Sequence, residues 1–205
     1  MANATGFKPA VCGMYGHKCA HVKDLLTLFS PDDILRGEIV DFALGAEPHT
    51  GAFVVGYNEH PINRQYMNYF KMGEGPFHMF YPPFHLPHLQ ISLSVARAVL
   101  FQDPTLTPLA GPVCDTAAFA KRDLKAGEVL DGMGGFTCYE LIDTYEVTQE
   151  YNLLSMVLSD GCILQRNIGK DQAISYADVT LPAGRLADKL RAEQTALFPA
   201  VVLTK

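Results

Sequence analysis

Lys71-Met-Gly-Glu-Gly-Pro76 brings an ammonium, a carboxylate and two glycines into six residues. A lysine is a compact charge on a flexible stem, and neighbouring glycines let the backbone close over an anionic group. Lys71 is therefore a candidate catalytic residue, and Gly73, Glu74 and Gly75 are candidate substrate-binding residues. A structural role fits the same residues: at a helix end, Lys71 would favour the macrodipole and Gly73 would take the left-handed cap. Tyr81-Pro-Pro-Phe-His-Leu-Pro-His88 follows, held extended by its prolines. His85 and His88 then cannot share a helix turn as a paired metal site would want. Arg97, on an otherwise apolar helical stretch, either reaches an anionic group or pairs with an acidic neighbour. Cys12, His17, Cys19 and His21 are zinc ligands by type, but six residues separate the cysteines where structural zinc sites keep roughly two to four. Small buried thiols are the alternative.

These groups need elements to position them. The spacing predicts a helix over 61–71 that places Ile62, Tyr66, Tyr69 and Phe70 on one face and stops at Gly73. A short aromatic strand over 77–81 comes next, then a helix over 92–101 with Leu93, Ala96, Val99 and Leu100 facing inward. Upstream, Val22, Leu25, Leu26 and Phe29 form a helical stripe ended by Ser30-Pro31. Residues 37–44 and 51–57 read as strands of a hairpin or as adjacent strands. Pro104-Thr-Leu-Thr-Pro-Leu-Ala-Gly-Pro112 reads as a stiff linker. The fold class expected is α+β in two domains: a mixed α/β region over 1–110, then a β-rich region over 111–205 with an inserted helical stretch over 139–159 and a C-terminal helix over 185–197.

The second region carries an internal repeat. Ala120-Lys-Arg-Asp-Leu-Lys-Ala-Gly-Glu-Val-Leu130 is echoed by Leu164-Gln-Arg-Asn-Ile-Gly-Lys-Asp-Gln-Ala-Ile174, pairing Arg122 with Arg166, Asp123 with Asn167, Leu124 with Ile168, Glu128 with Gln172 and Leu130 with Ile174. Each copy reads as strand, tight turn, strand, with Gly127 in the first turn at a position that favours a positive φ. This pattern resembles the SAF domain, a small β-clip module, over roughly residues 113–180. Asn3-Ala-Thr-Gly6, Gly13-Met-Tyr-Gly16, Lys71–Pro76, Phe84-His-Leu86, Leu93–Leu100 and Ala120–Glu128 follow one another as they do in SAF-domain oxidoreductases, the homoserine-dehydrogenase-like proteins that include a 1-deoxyxylulose-5-phosphate reductoisomerase-like group.

That resemblance implies an oxidoreductase acting on a small hydroxylated or phosphorylated ketone or aldehyde. It also places His85 at a family position, as a hydrogen-bond partner of a substrate oxygen or a general acid. Ala10, Cys12, Tyr15 and Pro82 depart from the family pattern. Family members begin with a nucleotide-binding Rossmann half, and no glycine-rich strand-to-helix turn stands in this sequence. The expectation is a C-terminal portion or a shortened relative that takes NAD(P) only with a Rossmann partner or an upstream half. Any divalent metal would be held by that half. A non-redox enzyme using Lys71, Glu74 and His85 for acid and base steps is a second reading, and a SAF-type binding or oligomerisation module a third.

Composition narrows the classes. The 205 residues carry a net charge of −6, and the 16 basic residues are scattered, which argues against nucleic acid. No run of 18 apolar residues exists, so no membrane span is expected. Met1–Pro9 lacks signal-peptide character, and five irregularly spaced cysteines fit reduced thiols, so a cytoplasmic chain is expected. An apolar content of 48 % suits burial in an interface, and the partners expected are a small-molecule substrate and a second copy or a Rossmann-domain chain.

Overall fold

A computed structural model of the chain describes residues 1–49, 51–84 and 86–199. Along the chain the elements are α1 (Ala2–Thr5), β1 (His17–Lys18), α2 (Leu25–Leu28), α3 (Pro31–Arg36), β2 (Ala43–Leu44), β3 (Val54–Tyr57), α4 (Pro61–Tyr69), β4 (Phe77–Phe80), α5 (Pro87–Phe101), β5 (Cys114–Ala120), β6 (Cys138–Thr144), α6 (Tyr145–Glu150), β7 (Ile163–Leu164), β8 (Val179–Thr180) and α7 (Leu186–Leu197). The fold class is α+β, built from small two-stranded sheets and short helices.

Two compact units share the chain: Met1–Met14, Glu38–Val40 and Pro108–Lys205 form one, and Tyr15–Gly37 and Asp41–Thr107 form the other. The first 14 residues thus group with the C-terminal region rather than with the elements that follow them. Asn3 shows why. Its amide oxygen accepts from Val113 N at 2.9 Å and Cys114 N at 2.8 Å, while its Nδ2 donates to the Cys114 carbonyl at 3.1 Å, so one side chain ties α1 to the start of β5. Gly13 N donates to Ile142 O on β6 at 2.8 Å, and Lys8 pairs with Glu146 at 3.1 Å.

The repeat organises this unit. Leu124 N donates to Ile168 O at 2.8 Å and Ile168 N returns a bond to Leu124 O at 3.0 Å. Asp123 Oδ1 accepts from Lys170 N at 2.8 Å, and its counterpart Asn167 Oδ1 accepts from Ala126 N at 2.9 Å. Glu128 accepts from Lys125 N at 2.8 Å as Gln172 accepts from Gly169 N at 3.0 Å. The bonds that cross between the copies are returned in kind, so the copies face each other about a local pseudo-twofold. The aligned apolar positions Leu124, Ile168, Leu130 and Ile174 are all fully buried in one core with Leu154 and Leu164. Gly127 takes a φ of 86°, and Asp171 takes the matching turn position at 62°, a conformation aspartate tolerates better than most side chains. The stretch 139–159 is only in part helical: β6 pairs residue by residue with β5, and α6 with a 3-10 turn at Met156–Leu158 supplies the rest. The ladder with β5 overrides the helical spacing read in Tyr139–Thr144.

The loop between Leu130 and β6 closes on Asp131, whose carboxylate accepts from the Thr137 hydroxyl, from Phe136 N and from Thr137 N. The Thr137 hydroxyl first, then the Phe136 N–H, holds this carboxyl down at about 2, below its ordinary 3.8. A depressed carboxylate contributes stability that is present above its unfolded pKa and lost as pH falls through the folded one. Thermal melts should therefore show a loss between about pH 4 and 2 that is shallower in Asp131→Asn. Equal slopes in both proteins would refute this assignment.

In the other unit β1 and β2 pair in parallel, while β3 and β4 pair antiparallel with Gly56 opposite His78. Residues 37–44 and 51–57 are thus not hairpin partners, because each finds a strand elsewhere in the chain. The stripe Val22, Leu25 and Phe29 is buried as its spacing requires, although the helix breaks into a 3-10 turn and α2. Prolines open α3, α4 and α5 at the first helical position, where the missing N–H is lost without penalty. Pro87 starts α5 five residues earlier than the expected Ser92. The apolar faces of α4 and α5 are outward: Tyr69 is 77 % exposed, and Leu93 and Leu100 are 65 % and 71 % exposed, which corrects the inward placement read from spacing for α5. Periodicity identifies a face and leaves open what covers it.

Candidate functional site

The glycine loop is built by the way α4 ends. Phe70 N bonds Tyr66 O at 3.0 Å, Lys71 N bonds Asn68 O at 2.9 Å and Met72 N bonds Met67 O at 3.0 Å, so the last turn tightens and stops. Lys71 itself takes the left-handed conformation, with φ 63°, and Gly73 and Gly75 follow at 109° and 82°. Lys71 is exposed, and its carbonyl accepts from Lys23 Nζ at 3.5 Å. The loop is fixed below by Met79 N, which donates to Met72 O at 3.0 Å, and above by Arg64, whose Nε and Nη2 donate to Glu74 O at 3.3 and 3.1 Å.

Arg64 was not among the expected site residues, nor was His78. Seven residues before Lys71, Arg64 would lie two turns back on the same face of the helix expected over 61–71, a spacing that could have singled it out. His78 gave no such signal within an aromatic strand. Its imidazole is 1 % exposed, and among the described residues neither ring nitrogen has a hydrogen-bond partner. A Cβ placed on Gly75 would lie 2.8 Å from Arg64 Nε and 3.0 Å from His78 Cε1 and Nε2, so both side chains crowd the bare face of that glycine.

The other expected residues are dispersed. Arg97, on α5, pairs with Asp103 just past the helix end, the acidic-neighbour alternative of the two. His88 lies in the first turn of α5, so the proline segment is not extended throughout. His85 lies outside the described residues. Among the described residues no three His, Cys, Asp or Glu side chains gather as a metal site requires. His21 Nδ1 instead accepts from Lys23 N at 3.1 Å to cap the 3-10 turn, and His17 packs between Tyr15 and Phe29. Cys12 and Cys19 are not buried either, being exposed and half-buried. Desolvation, then a hydrogen bond to Asp143, pushes the Cys12 thiol up to about 11, which makes it a poor nucleophile at neutral pH.

A pyrophosphate turn runs from strand to helix, whereas Gly73–Gly75 runs from α4 to β4 and the Gly132–Gly135 turn leads into β6.

The first 91 residues nonetheless resemble a catalytic domain of the oxidoreductase class. The family model they match is that of oxidoreductase DRL, catalytic domain, over residues 1–91. That span contains Arg64, Lys71, the glycine loop, His78 and His85, and it stops within α5 before Arg97. No curated protein matches the chain. Among the described residues no helix is long and apolar enough to cross a membrane.

Proposed function

We propose that the chain is the C-terminal catalytic and oligomerisation portion of an NAD(P)-dependent oxidoreductase of the reductoisomerase or homoserine-dehydrogenase kind, acting on a small hydroxylated or phosphorylated ketone or aldehyde. The observation that carries this reading is the match of residues 1–91 to an oxidoreductase catalytic domain, within which the Lys71–Gly75 loop falls. Lys71 and His85 are assigned to the reacting oxygen, Lys71 by its charge and His85 by hydrogen bonding, and Gly73, Glu74 and Gly75 to holding the substrate. Arg97 would join them only by giving up Asp103.

The nucleotide is assigned to a Rossmann-fold partner or upstream half. Its role when bound is hydride transfer. The reciprocal pairing of the two repeat copies supports a SAF-type β-clip as the second part of the chain. The outward apolar face of α5 supports a covering partner, since a 15-residue helix with no buried residue gains little from its own unit.

Isothermal titration of the chain with NADPH and NADH tests the reading, first alone and then with a Rossmann-fold protein encoded beside it. Binding only in the presence of the partner is expected. Binding by the chain alone would overturn the assignment of the nucleotide to another fold. No binding in either condition would shift the function to the non-redox use of Lys71, Glu74 and His85.

A further inference from the structure

We propose that Arg64, His78 and the backbone of Gly73–Gly75 form a binding site for an anionic oxygen group, carried by a phosphate ester or a carboxylate. The buried imidazole is the starting point. Nearly all buried polar atoms in folded proteins are paired, so a ring at 1 % exposure with both nitrogens unpartnered calls for a bonding group that enters the site. Among the described residues no carboxylate bonds either nitrogen of His78. It faces Gly75 together with Arg64 Nε, both within 3.0 Å of the point a Cβ would occupy.

The loop supplies further donors. Among the described residues the N–H groups of Gly73, Glu74 and Gly75 donate to no partner. With φ at 109° and 82°, both glycines occupy backbone conformations that let the intervening amides turn toward an anion. Lys71 and Lys23, whose Nζ bonds the Lys71 carbonyl, add positive charge beside the exposed carboxylate of Glu74.

Arg64 connects the parts. Its guanidinium holds the Glu74 carbonyl, a neutral acceptor, at 3.1 and 3.3 Å. An anionic oxygen is a stronger partner for the same fork, about twice as strong per bond. Exchange of the carbonyl for the ligand frees the loop at its two glycines and uncovers His78 beneath it. The ligand then bonds Arg64 from one side, His78 from below and the loop amides from above. The site rests on the proposed function in taking that anion to be one end of the substrate; its binding does not require the nucleotide.

The test uses the full chain labelled with ¹⁵N in the backbone and in the histidine rings, titrated separately with inorganic phosphate and with glycolate. Saturable shifts of the Gly73 and Gly75 amides and of the His78 ring are expected with at least one probe, and the tighter probe fixes phosphate ester or carboxylate as the class. Arg64→Met keeps most of the exposed stem and should weaken binding by about ten- to hundredfold. His78→Gln should weaken it while leaving the Arg64 arm readable if that variant folds poorly. Absence of saturable shifts with both probes, or undiminished binding by Arg64→Met, would overturn the site. Failure of NADPH to bind in any condition leaves this readout intact, so the two ideas fall separately.

Discussion

Leu124→Ala should remove about 2–5 kcal/mol from the stability of the repeat-bearing unit, a large part of the roughly 5–15 kcal/mol that holds a typical domain together. Leu124 is 1 % exposed and so is Ile168, its counterpart in the second copy, and their backbones exchange both hydrogen bonds. Truncating either side chain leaves a cavity at the centre of the pseudo-twofold, where neighbours from both copies are already fixed by the reciprocal ladder. Ile168→Ala should therefore cost a similar amount, while Ile168→Val should cost only about 0.5–1.5 kcal/mol. The double variant Leu124→Ala with Ile168→Ala should fall short of the sum, because both sites lie in one core cluster. Urea unfolding of the four variants and the unsubstituted chain measures this. A loss below about 1 kcal/mol for Leu124→Ala would show that the repeat interface is not the core of the unit.

The repeat was legible because both of its signals are local: the turn residues lie at fixed offsets, and the apolar positions two and eight residues on from each Arg stay aligned after 44 residues. What the sequence did not disclose was that the two copies bond to each other rather than folding as separate hairpins, because pairing across 44 residues has no local signature. The same limit explains residues 43–44 and 54–57, whose strand character was recognised and whose partners were not. Tyr139–Thr144 failed in the opposite direction: helical spacing was present, and a seven-residue ladder with β5 overrode it. At the site, Lys71 and the glycines stood out by residue type, whereas His78 became visible only through burial and the absence of a bonding partner, neither of which a sequence carries.

Gly75→Ala and Gly73→Ala should differ, and the difference isolates the crowding at the loop. Both glycines have positive φ, at 82° and 109°, so an alanine at either costs at least about 1–2 kcal/mol in the backbone alone. At Gly73 the added Cβ would meet only Phe77 O at 3.4 Å and Leu26 Cδ1 at 3.5 Å, ordinary contact distances. At Gly75 it would stand 2.8 Å from Arg64 Nε and 3.0 Å from the His78 ring. Arg64 is exposed and can swing aside, giving up the Glu74 carbonyl, but His78 is enclosed and cannot retreat. Overpacking against the ring should add about 1–3 kcal/mol. Gly75→Ala should accordingly be the less stable variant in urea unfolding and should also lose phosphate or glycolate binding, since its methyl group fills the face on which Arg64 and His78 converge. Equal stability of the two variants would mean that the crowding relaxes freely, and retention of anion binding by Gly75→Ala would mean that the ligand does not approach that face.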